Sequence, residues 1–175
     1  YAKDKGNLCL KNVNLTIKSG ETVGIIGATG SSKTSFVQLI PRLYDVTEGE
    51  ILIDGINIKE YSEEEYRKLF AVVFQDFQLF AFSFKENIAF GENENTEEVE
   101  KVLKLSGFYE DTQKLPQGLD TMLYKSFDEK GTELSGGQIQ KLLLARALYR
   151  KAPFMILDEP TAALDPIAES NLYET

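Results

Sequence analysis

Residues 27–35, written GATGSSKTS, combine glycine, small hydroxyl side chains and one lysine. Glycine lets the backbone approach a ligand closely, and successive backbone N–H groups beside a lysine attract an anion. The stretch differs at one position from the phosphate-loop pattern G-x-x-x-x-G-K-[ST], because Ser32 stands where the last glycine would be. The predicted chemistry is the binding of phosphate groups, with Lys33 on the terminal phosphates and the Thr34 hydroxyl on magnesium. The alternative is a glycine-rich turn without a ligand.

A second pair of reactive side chains, Asp158 and Glu159, follows the apolar run at residues 154–157. This run predicts a buried strand, and open α/β sheets bind ligands beyond the carboxyl ends of their strands. There Asp158 can hold magnesium through water, while Glu159 acts as a general base on an attacking water. The alternative is an ordinary strand that ends in solvated acids.

A third candidate is the segment LSGGQ at residues 134–138, called the signature segment below. A helix start with two glycines exposes N–H groups and the positive end of the helix dipole, which suits an anion. Ser135 and Gln138 also have the spacing of a capping box, which alone would explain them. If both helix starts face phosphates of different nucleotides, the site is shared between two copies.

Alternating strands and helices must position these groups. The predicted strands are residues 8–17, 23–26, 70–74 and 154–157, and a hairpin is predicted over 49–58 about Asp54-Gly55. One predicted helix runs from residue 33 to Pro41, and two short ones begin after Ser62 and Ser83. Two further helices are predicted at residues 96–105 and 135–150. This order indicates an α/β fold with a largely parallel sheet, antiparallel strands at the front and a helical insertion in the middle.

Length and composition restrict the classes of function that fit this chain. The chain has 175 residues, a net charge of -9, no histidine and a single cysteine. One domain is expected at this length, and the acidic balance disfavours nucleic acid as a partner. Disulfides, Cys/His zinc sites and histidine-based nucleophile pairs are excluded within the chain. No apolar run approaches the length of a membrane span.

In chain order, five motifs resemble those of the ATP-binding cassette (ABC) family. They are GATGSSKTS (Walker A), Phe74-Gln75 (Q-loop), LSGGQ (signature), FMILDE at 154–159 (Walker B) and Ala163-Leu164-Asp165 (D-loop). The resemblance covers nearly the whole chain, and LSGGQ at this place is highly specific. Residues 43–45, 49–55 and 82–91 look like the exporter branch, in which this domain follows a transmembrane domain in the same polypeptide.

The resemblance implies a P-loop NTPase (RecA-like) core with a mainly parallel sheet, an N-terminal antiparallel β-subdomain and an inserted α-helical subdomain. It implies one nucleotide-binding domain over residues 1–175, incomplete at the C-terminus. The β-subdomain and the core with the phosphate loop would occupy about residues 1–80, the helical subdomain 81–150, and the core with Walker B and the D-loop 151–175.

The family's functional residues map onto this chain as follows. The implied residues for ATP are Tyr1, which would stack on adenine, and Gly27, Ala28, Thr29, Gly30, Ser31, Ser32, Lys33, Thr34 and Ser35. The implied catalytic residues are Lys33, Gln75 and Glu159, and the implied metal ligands are Thr34, Gln75 and Asp158. The residues implied to act in trans, on ATP held by a partner domain, are Leu134, Ser135, Gly136, Gly137, Gln138 and Asp165.

The implied function is hydrolysis of ATP, with Mg²⁺ as cofactor, to power transport across a membrane. The domain would dimerise head to tail with a second nucleotide-binding domain, which would be identical to it or different. The domain would lie at the cytoplasmic face of a membrane and contact a transmembrane domain near residues 75–90. One alternative is a soluble ABC ATPase of DNA repair, chromosome organisation or translation; another is a nucleotide-binding module without turnover. The short spacing between phosphate loop and signature segment disfavours the coiled-coil repair and chromosome proteins, and Lys33, Gln75 and Glu159 disfavour the inactive module.

Two features qualify the resemblance. The family's switch histidine is missing because the chain ends first, so this fragment alone is expected to hydrolyse ATP poorly. Ser32 is expected to have a negative φ and to allow ATP binding, because at a positive φ its Cβ would cost roughly 1–2 kcal/mol.

Seven of the eleven phenylalanines lie between residues 70 and 90. They predict either core packing alone or a groove that receives a helix of the membrane domain, since exposed apolar patches mark partner surfaces.

Overall fold

The structure, a computed structural model, describes residues 9–74, 79–125 and 129–158. The chain divides into two units, Tyr1–Arg67 and Lys68–Thr175. The elements of the first unit are helix α1 (Lys33–Leu39), strands β1 (Leu52–Ile53) and β2 (Ile56–Asn57), a 3₁₀ turn (Ile58–Glu60) and helix α2 (Glu63–Lys68), which ends at the boundary between the units. The predicted subdivision near residues 80 and 150 stays a prediction.

The hairpin predicted about Asp54-Gly55 is confirmed. Strands β1 and β2 pair antiparallel, with Ile53 opposite Ile56. Asp54 and Gly55 have φ of 50° and 81°, and a two-residue turn with both residues left-handed fits the twist of the strands. The residue types at the turn therefore set the register of this hairpin.

The strands predicted at residues 8–17 and 23–26 are wrong for the described residues, which form no strand before β1. The apolar side chains at residues 13–17 and 23–26 are exposed, and Ile26 is 99% exposed. An alternating pattern predicts which face of a strand is buried, but a strand also needs a neighbour for its backbone N–H and C=O groups. Among the described residues of the first unit, only β1 and β2 supply that pairing.

Helices α1 and α2 are linked by a buried tyrosine. The Tyr66 hydroxyl donates a 2.6 Å hydrogen bond to the carbonyl oxygen of Ile40, directly after α1. Burial raises the pKa of Tyr66 from 10.0 to about 12, so the hydroxyl keeps its proton, and with it this bond, even at a pH where an exposed tyrosine ionises. At the start of α2, the predicted Ser62 and Glu65 pair forms, with the Glu65 N–H donating to Ser62 Oγ at 3.3 Å.

The second unit combines parallel strands with four helices among its described residues. They are β3 (Phe70–Val73), α3 (Phe84–Ala89), α4 (Thr96–Leu105), α5 (Tyr109–Thr112), α6 (Gly136–Tyr149) and β4 (Phe154–Leu157). Strand β3 pairs parallel with β4, and α6 packs against β3, α3 and α4. The predicted α/β class, with both parallel and antiparallel pairing, is confirmed.

Local signals in the sequence start and stop these helices as predicted. The N-cap Ser83 and Glu86 form a complete capping box at α3. Helix α4 ends where Gly107 adopts a φ of 68°. The Phe108 N–H then donates to Leu103 O and the Gly107 N–H to Lys104 O, the two bonds of a Schellman motif.

Strand β4 is less buried than its apolar sequence predicts. Phe154 and Met155 are each 40% exposed, while Phe154 stacks on the buried Phe70 at a ring distance of 5.3 Å. Within the described part of the chain, β4 has β3 as its neighbour on one edge and no strand on the other. The prediction of a buried strand was wrong in this respect because apolar composition does not show how many neighbours cover a strand.

Candidate functional site

The phosphate loop at residues 27–35 is tightly turned and exposed up to Ser31. The Ser31 N–H donates to Ala28 O at 3.1 Å, and Gly30 is left-handed with a φ of 79°. A Cβ on Gly27 would lie 2.6 Å from Ser31 Oγ, so only glycine fits at this position without a shift of Ser31. The structure therefore gives a physical reason for the glycines at 27 and 30.

Lysine 33, the first residue of α1, folds back over this loop. Its Nζ donates to Gly27 O at 2.8 Å and to Ala28 O at 3.1 Å. These carbonyl oxygens are neutral acceptors, and an ammonium group makes stronger hydrogen bonds to charged phosphate oxygens. Lys33 is thus held at the loop by contacts that a phosphate can replace.

The N-terminus of α1 is not capped by a side chain. Ser32 occupies the N-cap position without a side-chain hydrogen bond to the helix. The first N–H groups of a helix lack intrahelical partners, and an anion can satisfy them. Thr34, in the same turn, is exposed.

The prediction of a negative φ at Ser32 was wrong. Ser32 has φ 65° and ψ 24°, the left-handed conformation. The chain enters α1 through this residue, and a left-handed Cβ crowds the following carbonyl oxygen at a cost of roughly 1–2 kcal/mol. The hydroxyl does not recover this cost by capping the helix.

Ser32→Gly is expected to raise the free energy of unfolding by up to about 1 kcal/mol. Relief of the left-handed strain exceeds the roughly 0.5–1 kcal/mol that glycine loses in backbone entropy. Ser31→Gly is the matched control, since Ser31 has no positive φ, and it is expected to destabilise the protein. Chemical denaturation of the two variants measures the difference.

The ATP affinity of Ser32→Gly is expected to stay within about 3-fold, because a strain present in both the free and the bound loop cancels in the binding free energy. Equal destabilisation by both glycine variants would contradict the left-handed assignment. A sharp rise in affinity for Ser32→Gly would show that binding itself imposes strain on the loop.

Aspartate 158 lies at the carboxyl ends of the two parallel strands. Its N–H donates to Val73 O at 2.8 Å, which extends the β3–β4 ladder by one residue. The side chain is buried, at 8% exposure, and Oδ2 has no hydrogen-bond partner among the described residues. A buried carboxylate oxygen without a donor is unfavourable, so this position favours a bound cation or water.

The residues present fit a magnesium ion. Mg²⁺ prefers oxygen ligands and is commonly held by one or two carboxylates together with substrate phosphates and water. Asp158 supplies such a carboxylate in the second unit, and Thr34 of the first unit stays a predicted hydroxyl ligand. In the described part of the chain, no group of three His, Cys, Asp or Glu side chains could hold a metal by itself.

The signature segment starts α6 with a complete capping box. Ser135 Oγ accepts from the Gln138 N–H at 3.4 Å, and Gln138 Oε1 accepts from the Ser135 N–H at 3.0 Å. Leu134 packs against the core, while Ser135 and Gly136 are exposed and Gly137 is half-buried. The capping box is therefore confirmed, and the N–H groups at the two glycines remain at an accessible helix start.

The phenylalanines divide into core and surface. Phe70 and Phe84 are buried, whereas Phe80, Phe82 and Phe90 are 42–49% exposed and form what is called the aromatic patch below. The Phe80 ring stacks on Phe90 at 4.9 Å and on Phe82 at 5.8 Å. Core packing alone therefore does not account for the cluster.

A polar pair below the aromatic patch was missed by the sequence analysis. Asn87 is fully buried, and Arg146 of α6 donates to it through Nε and Nη2. Burial lowers the pKa of Arg146. The available signal was the single charged residue, Arg146, in the otherwise apolar helical stretch at residues 142–149.

Four of the predicted site residues, Tyr1, Gln75, Glu159 and Asp165, lie outside the described residues. None of the helices in the part of the chain that is described is long and apolar enough to span a membrane.

An α/β chain with such a loop before a helix and an acid after a parallel strand has the features of the P-loop NTPase class. A model of the ABC transporter family matches residues 10–162. The chain therefore belongs to the ABC transporter family, which confirms the resemblance seen in its motifs.

Individual proteins with similar sequences support the same family. The chain is 43% identical to the subtilin transport ATP-binding protein SpaT of Bacillus subtilis, over 98% of this chain and 28% of that protein. It is 44% identical to the ATP-dependent lipid A-core flippase of Pectobacterium atrosepticum, over 93% of this chain and 28% of that protein. The chain thus spans about a quarter of the length of the curated relatives it matches.

A solved structure is also similar. A bacterial Atm1-family ABC exporter with ATP bound matches with a TM-score of 0.75 and 34% identity, over 84% of this chain and 25% of that one. The fold similarity thus extends over most of the chain.

Proposed function

We propose that this chain is the ATP-binding and ATP-hydrolysing domain of an exporter that pairs head to tail with a second such domain. The observation that carries the proposal is the buried Asp158 carboxylate without a described partner at the edge of parallel strands, in a chain of the ABC transporter family. Relatives named for subtilin transport and lipid A-core flipping share this domain at similar identity, which indicates that it supplies energy rather than substrate choice.

Binding of the nucleotide begins at the phosphate loop. Backbone N–H groups of residues 27–35 and the uncapped start of α1 receive the phosphates, and Lys33 exchanges two carbonyl oxygens for terminal phosphate oxygens. Thr34 and Asp158, with Gln75, would hold a magnesium ion, which when bound neutralises phosphate charge. Tyr1 would stack on the adenine ring.

Hydrolysis needs a base at the edge of the sheet. Glu159, next to Asp158, accepts a proton from the water that attacks the γ-phosphorus, while the bond to the β-phosphate oxygen breaks. Gln75 follows β3, which ends at the same edge of the sheet as β4, and it orients that water.

The second half of the site comes from a partner domain, identical or different. The helix start at Ser135, Gly136 and Gly137 closes over the γ-phosphate of the ATP held by the partner, with Leu134 and Gln138 supporting the turn. Asp165 crosses the same interface. ATP then joins the two domains, and hydrolysis releases them.

The membrane domain of the exporter docks near residues 75–90, at the cytoplasmic face of the membrane. The exposed aromatic patch supplies an apolar surface for a helix of that domain. A putative multidrug export ATP-binding/permease protein of Staphylococcus aureus is 45% identical, over 94% of this chain and 28% of that protein, and its name joins ATP binding to a permease. The net charge of -9 disfavours nucleic acid as an alternative partner.

ATP binding, ATP turnover and membrane topology test this proposal in the full-length polypeptide that carries the chain, reconstituted in lipid vesicles. We expect magnesium-dependent ATP hydrolysis and six membrane-spanning helices before Tyr1. Binding without turnover would support the inactive nucleotide-binding module instead. A soluble or coiled-coil segment before Tyr1 would contradict the exporter, and the absence of ATP binding would contradict the whole proposal.

A further inference from the structure

Arg146 connects the signature helix α6 to the aromatic patch. Its Nε donates to the backbone oxygen of Asn87 at 2.6 Å, and its Nη2 donates to Asn87 Oδ1 at 2.9 Å. Within the described residues it forms no ion pair with a carboxylate. The same helix begins at Ser135, so one rigid element carries both the signature segment and this cation.

Asn87 connects Arg146 to the backbone beneath the aromatic patch. Its Oδ1 also accepts from the Phe80 N–H at 3.0 Å. Its Nδ2 donates to the carbonyl oxygens of Phe80, Phe82 and Ser83 at 3.0, 3.2 and 3.0 Å. One fully buried amide therefore fixes the chain that presents two of the three patch rings.

The third ring is held by Arg146 directly. The guanidinium lies 5.0 Å from the centre of the Phe90 ring and 6.0 Å from that of Phe80, within cation–π range. Phe90 has φ 27° and ψ 68°, a strained conformation for a bulky residue. Such strain persists only where the surroundings over-determine it, and it clusters at functional sites.

Stability alone does not explain an arginine here. A partly buried cation that has no carboxylate partner among the described residues is costly to desolvate, and an apolar side chain of similar volume would pack at less cost. The arginine instead supplies two directed hydrogen bonds and two ring contacts that fix the patch relative to α6. Close-packed interiors of this kind transmit displacement rather than absorb it.

We propose that Arg146 is a positioning residue that ties the aromatic patch to α6, so that movement of the signature end reaches the surface that docks the membrane domain. This inference rests on the proposed function, which supplies the two sites that are coupled. Asn87 is the intermediate through which Arg146 acts on Phe80 and Phe82.

The test uses the full-length polypeptide in phospholipid nanodiscs, with 4-fluorophenylalanine at position 82 as a single ¹⁹F NMR probe. We expect a non-hydrolysable ATP analogue with Mg²⁺ to shift the resonance. In Arg146→Met the nucleotide-induced shift is expected to fall at least about 2-fold, because the backbone at Phe82 is no longer tied to α6 through Asn87. The affinity for the analogue is expected to change by less than about 2-fold, because Arg146 is outside the proposed nucleotide site. Arg150→Met, which removes a cation from the exposed end of the same helix, is the control and is expected to keep the shift.

Three results would contradict the positioning role of Arg146 or the proposed function beneath it. An undiminished shift in Arg146→Met, or no shift in the unsubstituted protein at saturating analogue, overturns the proposal and leaves the proposed function standing. Absence of analogue binding removes the proposed function and this proposal with it. If Arg146→Met does not fold, Arg146→Lys replaces it: lysine keeps the charge but not the two-nitrogen geometry, so retention of the full shift in this variant contradicts the positioning role.

Discussion

Glu159→Gln is expected to lower the rate of ATP hydrolysis by about 100- to 10,000-fold, the range that a general base contributes. Glutamine has nearly the shape of glutamate but cannot accept the proton of the attacking water at neutral pH. ATP affinity is expected to be retained, because phosphate binding depends on the loop at residues 27–35 and on Lys33. Phosphate release and equilibrium ATP binding by the full-length protein measure the two effects separately.

The control for this substitution is Glu110→Gln, which removes an exposed carboxylate of α5 outside the proposed site. It is expected to leave both turnover and binding unchanged. Equal turnover for Glu159→Gln and the unsubstituted protein would show that Glu159 is not the base. Loss of ATP binding in Glu159→Gln would instead place this residue in the binding site.

Lys33→Met and Ser135→Arg are each expected to reduce ATP hydrolysis by about 100-fold or more, the usual cost of removing one preorganised donor at a developing charge. The first removes the cation of the phosphate loop, and the second blocks the helix start at the glycines of the signature segment. In a homodimer with shared sites, a mixture of the two variants is expected to regain activity. A mixed pair contains one site with an intact loop from one chain and an intact signature segment from the other.

Random pairing of the two variants gives a recovery of up to about a quarter of the unsubstituted activity, because half of the pairs are mixed and each holds one intact site of two. ATP turnover before and after co-refolding or co-expression measures it. Lys114→Met, an exposed lysine of the second unit, is the control. A mixture no more active than its two components would contradict a site shared between two copies of this chain.

Local chemistry was predicted reliably from the sequence. The helix starts at Ser83 and Ser135 depend on hydrogen bonds between residues three apart, so the residue types at this spacing are sufficient. The hairpin at Asp54-Gly55 and the end of α4 at Gly107 need positive φ values, which these residue types accept. The order of motifs likewise identified the ABC transporter family, which the match over residues 10–162 confirms.

Predictions that depended on a neighbouring strand or a covering segment were wrong more often. The apolar patterns at residues 13–17 and 23–26 predicted strands, but no strand partner is present for them in the described part of the first unit. Strand β4 forms where its sequence predicts it, yet two of its side chains are 40% exposed. A pattern of apolar residues shows that a segment prefers to be buried, but it does not show which other segment covers it.

The family, the starts of α3 and α6, the end of α4 and the residue types of the proposed ATP site follow from the sequence alone, because those features depend on short spacings along the chain. Three further points are seen only in the folded chain: the left-handed backbone at Ser32, an Asp158 carboxylate oxygen without a hydrogen-bond partner among the described residues, and the Arg146–Asn87 contact across 59 positions of sequence. Backbone direction, burial and long-range hydrogen bonds depend on which distant segments pack together, and no local spacing contains that information.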